Sequence, residues 1–359
     1  MIPQYAPLWS PASNSMVQLA LEDNCLGPGE YCTLFENALK LMYGFKHVIL
    51  TNSGTSALMV AMKAAIGDKV GRILAPSYTF LAGHNAARFL GYDVDLVDIN
   101  EDLVIDLNLL QKKLGRKAYD AVLFVNHNAY NDSGYIGDIA ALCREHSVSL
   151  IEDSSQCIHV EYSNRRDGFC GTIGDMGILS FSVPKLLTTG QGGAIITSDN
   201  VLADKCRRIV DHGGGNWRKN RIHEEIGINL RMSDLNAAYG FGQLKDIQQK
   251  YNLRTALHKR YKDLLGDNYI SQSHSWMCVA RYPDASKVVD ELGKFSNGEI
   301  IAKQYYQPIH WNIPYEDCGD HFPAAEAAFR ELVYLPSSLS LTQEMIFKIS
   351  HIITRTIND

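Results

Sequence analysis

The sequence predicts an α/β fold: a large domain on a mainly parallel sheet, followed by a smaller α+β domain. Two observations lead there. Short apolar runs, many rich in valine and isoleucine, recur at 47–51, 72–75, 93–99, 121–126, 148–151, 176–181 and 193–197. Several are nearly continuous, the pattern of strands buried on both faces. Segments of helical period lie between several of them, for instance at 55–66, 80–90, 107–115 and 137–146. Strands that alternate with helices build parallel sheets.

Taken in order, residues 1–30 read as Pro-rich and irregular, ending in the turn signal Leu26-Gly27-Pro28-Gly29. Thr33 to Tyr43 reads as a helix with Leu34, Phe35, Ala38, Leu39 and Met42 on one face. The alternating strands and helices follow. Residues 200–251 read as largely helical, interrupted by Gly213-Gly214-Gly215. Ser233 to Tyr251 is the longest helix candidate, capped by Ser233 or Asp234. Beyond it come a strand at 276–282, a helix at 285–295 and a terminal helix from near Thr342. The change of character divides the chain into 1–251 and 252–359.

Composition removes several classes of function. At 359 residues the chain exceeds one small core, and 46% hydrophobic with 21% charged residues is a globular balance. A net charge of −6, with no Lys/Arg run, argues against nucleic acid as a partner. No apolar run reaches the roughly 18 residues of a membrane span. The opening MIPQYAPLWSP lacks the features of a secretory signal. The eight cysteines form no C-x-x-C pair. They read as scattered reduced thiols in the cytoplasm, with no metal site.

The chemistry concentrates between Val148 and Thr197. The run Val148–Ile151 ends on Glu152 and Asp153, and Met176–Phe181 follows a Gly-rich turn. Lys185 comes next, bracketed by Ser180, Ser182, Pro184, Thr188 and Thr189. A lysine amine has a reference pKa of about 10.4 and is protonated near pH 7. A lysine that forms a Schiff base therefore needs desolvation or cationic neighbours. An aldehyde cofactor such as pyridoxal phosphate also needs a carboxylate near its ring nitrogen. Either residue alone reads as a surface lysine or a helix-capping aspartate. Together, and with a phosphate signal, they read as a catalytic pair. That signal is Thr51-Asn52-Ser53-Gly54-Thr55-Ser56-Ala57-Leu58, which follows a strand and opens a helix. A helix start offers free N–H groups to an anion.

These residues resemble the active-site core of the DegT/DnrJ/EryC1/StrS family of sugar aminotransferases, which are fold-type I pyridoxal phosphate enzymes. The family pattern is met by Glu152-Asp153-Ser154-Ser155-Gln156, Gly174-Asp175, Ser180-Phe181, Lys185 and Gly190-Gln191-Gly192-Gly193. Ser155 stands where alanine is usual and Gln191 where glutamate is usual; neither removes a group the chemistry requires. Related dehydratases carry histidine at the lysine position. The resemblance is tight from about 45 to 245, and it implies a seven-stranded sheet like that of aspartate aminotransferase.

The resemblance also implies roles. Ser53, Gly54, Thr55 and Ser180 would hold the cofactor phosphate, Phe80 would stack on its ring, and Gln156 would meet its ring hydroxyl. Asp153 would hold the ring nitrogen and Lys185 the aldehyde carbon. Asn229, in Gly227-Ile228-Asn229-Leu230-Arg231-Met232, would reach the phosphate in a neighbouring subunit, giving a homodimer with shared sites. Arg231, Tyr306 and His310 would lie near substrate. His127 reads as a histidine satisfied by backbone. The implied reaction moves an amino group from glutamate or glutamine to a keto sugar, most directly a nucleotide-linked one, through the pyridoxamine (PMP) form. A keto-cyclitol or sugar-acid substrate, or a non-enzymatic pyridoxal phosphate sensor, are the alternatives. The sensor would need a basic DNA-binding segment, and residues 1–30 carry almost no basic charge.

Overall fold

The computed structural model describes residues 2–214, 222–296, 298–318 and 321–358. Seven strands form one sheet: β1 His47–Thr51, β2 Arg72–Pro76, β3 Asp93–Val97, β4 Ala121–Val125, β5 Ser149–Asp153, β6 Met176–Ser180 and β7 Gly193–Thr197. Their spatial order is β1-β7-β6-β5-β4-β2-β3. Only β7 runs against its neighbours, β1 and β6. The other six strands therefore end at one edge of the sheet, where ligand crevices form in such folds.

The continuous apolar runs are buried on both faces, as expected. Every residue of β4, β6 and β7 is buried. In β4, Ala121, Leu123 and Val125 join one core while Val122 and Phe124 join another. Helices α3 Gly54–Ile66, α4 Ala82–Phe89 and α7 Asn200–Val210 supply the first core. Helices α5 Leu107–Leu114 and α6 Ser133–Glu145 supply the second. Aspartates cap three of these helices: Asp106, Asp132 and Asp199 accept hydrogen bonds from the first-turn amides of α5, α6 and α7.

Three sequence expectations need correction. Residues 1–30 are not wholly irregular, because α1 spans Pro11–Glu22. Its proline sits at the helix start, where no N–H is missed. Helix α2, Glu30–Tyr43, buries Tyr31, Phe35, Leu39 and Tyr43, and Leu34 and Met42 turn outward. The two tyrosine rings widen that face at both ends. The long helix expected over 233–251 is two. Helix α8, Asp234–Gln243, capped by Ser233, ends in a 3₁₀ turn at Leu244–Asp246, and α9 runs from Ile247 to Leu265. Gly240 and Gly242 weaken α8 near its end. Gly242 also lets α1 approach, since a Cβ there would lie 2.6 Å from Ser13 Cα. The Asp246 carboxylate accepts from Ser10 Oγ at 2.6 Å, fixing the turn.

The C-terminal residues divide: Val279, Ala325, Leu332 and Tyr334 join the first core of the sheet, and Cys278, Ala280, Val333 and Ile349 belong to a separate one. Strands β8 Val279–Arg281 and β9 Leu332–Tyr334 pair antiparallel. Helices α10 Ala285–Phe295 and α12 Gln343–Asn358 pack with them, and α11 spans Pro323–Glu331. Helix α9 crosses position 251: Ile247 packs with the core around α2 and α8, and Leu257, Tyr261 and Leu265 with the C-terminal core. No helix among the described residues is long and apolar enough to cross a membrane.

Glu152, at the penultimate position of β5, is fully buried. It accepts from Tyr162 Oη and Gly174 N at 2.5 Å and from Ile173 N at 2.8 Å. Tyr162 Oη in turn accepts from Gly171 N at 3.0 Å. Burial raises the Glu152 pKa, and these donors oppose the rise. The carboxylate thus clips the Gly-rich turn to the strand that carries Asp153. Glu152→Ala leaves buried donors unmet and should cost about 3 kcal/mol or more. Tyr162→Phe should cost about 1–2 kcal/mol. Urea unfolding midpoints read both; a Glu152→Ala loss under about 1 kcal/mol would show that the turn stands without the clip.

Candidate active site

Loops from the carboxyl edge of the sheet converge on one cavity of about 940 Å³. At one end β1 runs into α3. Ser53 caps α3, its Oγ accepting from Ser56 N at 3.0 Å, while Ser56 Oγ donates to Asn52 Oδ1 at 2.6 Å. Gly54 sits against the end of β6: a Cβ there would lie 2.9 Å from Ser180 Cβ and 3.1 Å from Ser180 Oγ. Only glycine permits that approach. The free amides at the start of α3 and the Ser180 hydroxyl therefore share one wall, and Ser53, Gly54, Thr55 and Ser180 all line it.

Asp153 ends β5 and lines the same cavity with Gln156 and Lys185. Its Oδ1 accepts from Ser155 N at 3.0 Å. Burial raises the Asp153 pKa, and the Ser155 hydrogen bonds and the Lys185 charge act against it. The Gln156 side chain accepts from the Asn128 amide. Lys185 is buried, and its Nζ lies 3.7 Å from the centre of the Trp276 ring, a cation–π contact. Trp276 is fixed by its own Nε1, which donates to Pro184 O at 3.0 Å. Burial brings the Lys185 pKa down to about 8, while Asp153 pulls it up and the Arg254 charge pushes it down further. Phe80 is 63% exposed and lines the same cavity, so it is not a core phenylalanine.

The substrate candidates divide. Tyr306 lines the cavity, its ring packed among Tyr78, His127 and Tyr334. His310 does not line it: its Nε2 faces Glu326 Oε1 at 3.3 Å and its ring packs on Phe322. Asn229 and Arg231 also lie outside this chain's cavity lining. Asn229 is exposed, and its Oδ1 accepts from Arg231 Nε at 3.0 Å. Arg231 also pairs with Asp211 at 2.9 Å. The neighbouring Leu230 carbonyl accepts from Asn52 N at 2.8 Å, which docks this segment behind the phosphate wall. The reading of His127 is corrected: its Nε2 bonds the Tyr334 hydroxyl at 2.9 Å, not backbone. Burial takes its pKa down to about 4.

Sequence reasoning did not find Tyr5, Trp276 or Lys303, which also line the cavity. Trp276 lies 92 positions from its partner Pro184, and no local motif marks such a contact. Among the described residues no group of three or more His, Cys, Asp and Glu could hold a metal ion.

The arrangement fits a phosphorylated aldehyde cofactor. An anion wall, a buried lysine with a depressed pKa and a half-buried carboxylate share one cavity, with an exposed ring at its edge. Comparison with known proteins agrees. A model of the DegT/DnrJ/EryC1/StrS aminotransferase family matches residues 10–354. The UDP-4-amino-4,6-dideoxy-N-acetyl-beta-L-altrosamine transaminase of Campylobacter jejuni is 32% identical over 256 residues, covering 70% of this chain and 66% of that protein. The GDP-perosamine synthase of Escherichia coli O157:H7 is 26% identical, with 100% of this chain and 99% of that protein covered. The Helicobacter pylori aminotransferase PseC, involved in the biosynthesis of pseudoaminic acid, superposes with a TM-score of 0.89 at 24% identity, over 99% of both chains.

A lysine pKa of about 8 leaves roughly a tenth of the amine neutral at pH 7, against well under a thousandth for a free lysine. In cofactor-free protein, acylation of Lys185 followed by peptide mass spectrometry should reach half its limiting rate near pH 8. Surface lysines should reach theirs more than two units higher. A Lys185 midpoint near 10.5 would remove the desolvation argument.

Proposed function

The chain belongs to the DegT/DnrJ/EryC1/StrS aminotransferase family, and from that premise we propose that its cavity passes an amino group from glutamate or glutamine to a nucleotide-linked keto deoxysugar. The enzyme class, a transaminase dependent on pyridoxal phosphate, follows from the family. The observation that carries the reading is the meeting of Lys185, Asp153 and the α3 N-terminus in one cavity. The two relatives act on or make sugars linked to UDP and GDP. They share a nucleotide-linked sugar and differ in the base, so the proposal extends to the class and not to the base. We place the activity in the cytoplasm, in a homodimer.

When bound, the cofactor supplies an aldehyde that takes up the amino group and a protonated ring that acts as electron sink. The chain's residues do the rest. The amides of Gly54 and Thr55 and the hydroxyls of Ser53 and Ser180 are assigned to the phosphate. The Asp153 carboxylate would keep the ring nitrogen protonated, and Gln156 would orient the ring hydroxyl. Phe80 would cover one face of the ring. Lys185 would hold the aldehyde carbon until the donor's amine displaces it, and its freed Nζ would then take the proton from the donor's α-carbon and return it on the far side of the transfer. Its depressed pKa suits both halves of that task. Tyr306 and, from its partner, Arg231 are placed towards the sugar.

Two tests address this reading. Borohydride reduction of the holoenzyme should fix the cofactor to the peptide carrying Lys185, and Lys185→Ala should bind cofactor reversibly without turnover. An adduct on another lysine would sink the assignment. The second test concerns Asn229, which is exposed and outside its own cavity's lining, on a segment docked behind the phosphate wall. In a two-fold dimer each chain would give Asn229 to its partner. Mixing Lys185→Ala with Asn229→Asp should then restore some activity, since a hybrid dimer has one site lacking both groups and one intact site. No recovery despite proven subunit exchange would exclude shared sites.

A further inference from the structure

The residues assigned so far in the cavity serve the cofactor and its phosphate, and they leave one stretch of wall without a task. Ile301, Lys303, Gln304, Tyr305, Tyr306 and Gln307 all line the cavity from a single segment. Among the described lining residues Asp153 is the single carboxylate, against Lys185 and Lys303. Asp153 and Lys185 act on each other. The described lining offers Lys303 no second carboxylate, so its charge is left for a ligand.

The segment is held in place by contacts that need no ligand. Lys303 N donates to Tyr334 O at 3.1 Å and Tyr334 N to Lys303 O at 2.8 Å, which ties it along β9. Gln304 Nε2 donates to Phe329 O at 3.0 Å, and Tyr305 Oη donates to Gln4 Oε1 at 2.9 Å. Its rings form a row. Phe80 lies 6.2 Å from Tyr306, Tyr306 lies 5.4 Å from Tyr305, and Lys303 Nζ stands over Tyr305 at 5.8 Å from the ring centre. The row therefore starts at the ring assigned to the cofactor's face and ends at a cation. Lys185 is buried and Lys303 is exposed, so the row leads outward.

We propose that this row is the acceptor subsite, with the Tyr305 and Tyr306 rings under the sugar and Lys303 on the diphosphate of the nucleotide. The assignment rests on the nucleotide-sugar reading above. Tyrosine rings offer apolar area to the C–H groups of a sugar and a hydroxyl at the rim. In a nucleotide-linked sugar the ring separates the reacting carbonyl from the diphosphate. With the carbonyl at Lys185 the anion falls one sugar ring further out, where a lysine serves it as a point charge. The amino donor places its α-carboxylate one carbon from the reacting nitrogen, which keeps that group beside buried Lys185 and away from exposed Lys303. The base then lies beyond Lys303, towards solvent.

The test uses holoenzyme and calorimetric titration with UDP and GDP, which carry the diphosphate without a sugar. Reaction of the wild type with L-glutamate or L-glutamine, followed by cofactor absorbance, checks the transaminase reading separately. The wild type should bind at least one of the two nucleotides. Lys303→Gln should weaken that binding about tenfold or more, and added salt should weaken the wild type more steeply than the variant. Lys303→Arg should keep most of the affinity. Tyr305→Leu should weaken UDP-glucose or GDP-mannose more than the matching free nucleotide, because only the sugar meets the ring. The L-glutamate rate of Lys303→Gln should change less than about threefold, since solvent screens the exposed charge. Nucleotide affinity unchanged in Lys303→Gln would overturn the subsite and leave the nucleotide-sugar reading standing. Failure of a wild type that reacts with the amino acid to bind either nucleotide would overturn that reading and the subsite with it. A loss of L-glutamate rate as large as the loss of nucleotide affinity would give Lys303 to the donor's side-chain carboxylate and overturn the proposal.

Discussion

The site depends on one close approach, where three backbones meet at the carboxyl edge of the sheet. Strand β7 enters beside the start of α3 so tightly that a Cβ on Gly193 would lie 2.6 Å from Gly54 N. Gly54 in turn faces Ser180 at the end of β6. Glycine at both positions lets a helix N-terminus and a strand end form one wall. That wall concentrates free amides and a hydroxyl where the dipole of α3 favours negative charge. The antiparallel insertion of β7 between β1 and β6 makes the approach possible, because it brings the ends of β1 and β6 to the same edge.

From that wall the electrostatics of the cavity follow. Desolvation works against charge on Lys185 and on Asp153 alike, so the two are held as a pair of opposed groups in one cavity. Each moderates the other: the carboxylate raises the lysine and the ammonium lowers the carboxylate. Trp276 adds a face on which the charged amine is tolerated without a hydrogen-bonding anion. A lysine that must alternate between covalent attachment and proton transfer needs a resting place for its protonated form. A hydrophobic ring provides one without fixing the amine as tightly as a salt bridge would.

Much of this was legible in the sequence because it is local. The strands at 47–51 and 193–197 were readable to the residue, since burial on both faces leaves almost no polar position to blur a strand's ends. Ser53, Gly54 and Thr55 announce themselves by position between a strand and a helix. Helix α1 escaped because it starts on a proline amid other loop signals. The break at 244–246 escaped because the side chains that fix it come from elsewhere: Ser10 holds Asp246, and the Gln243 amide donates to the Thr188 carbonyl. Tyr5 and Trp276 were illegible for the same reason, their place at the cavity being set by contacts far away in sequence.

The joint between the sheet and the C-terminal residues explains why distant residues can finish a site this small. Asp98, just past β3, accepts from the first amides of α11, Ala324 N at 2.9 Å and Ala325 N at 3.1 Å, and from Ser77 Oγ at 2.8 Å. With the Ile99 amide at 2.9 Å it accepts four hydrogen bonds, and a carboxylate so buried and bonded at a helix start is worth several times a surface ion pair. The Tyr78 hydroxyl donates to the Tyr305 carbonyl, and His127 holds the Tyr334 hydroxyl. These links run from the ends of β2, β3 and β4 to the C-terminal residues. They anchor the Tyr305–Tyr306 wall to the same edge that carries Asp153 and Ser180. The sheet and the C-terminal residues packed on its first core therefore build the cavity together, and the Tyr305–Tyr306 wall is as firmly placed as the sheet that leads to the lysine.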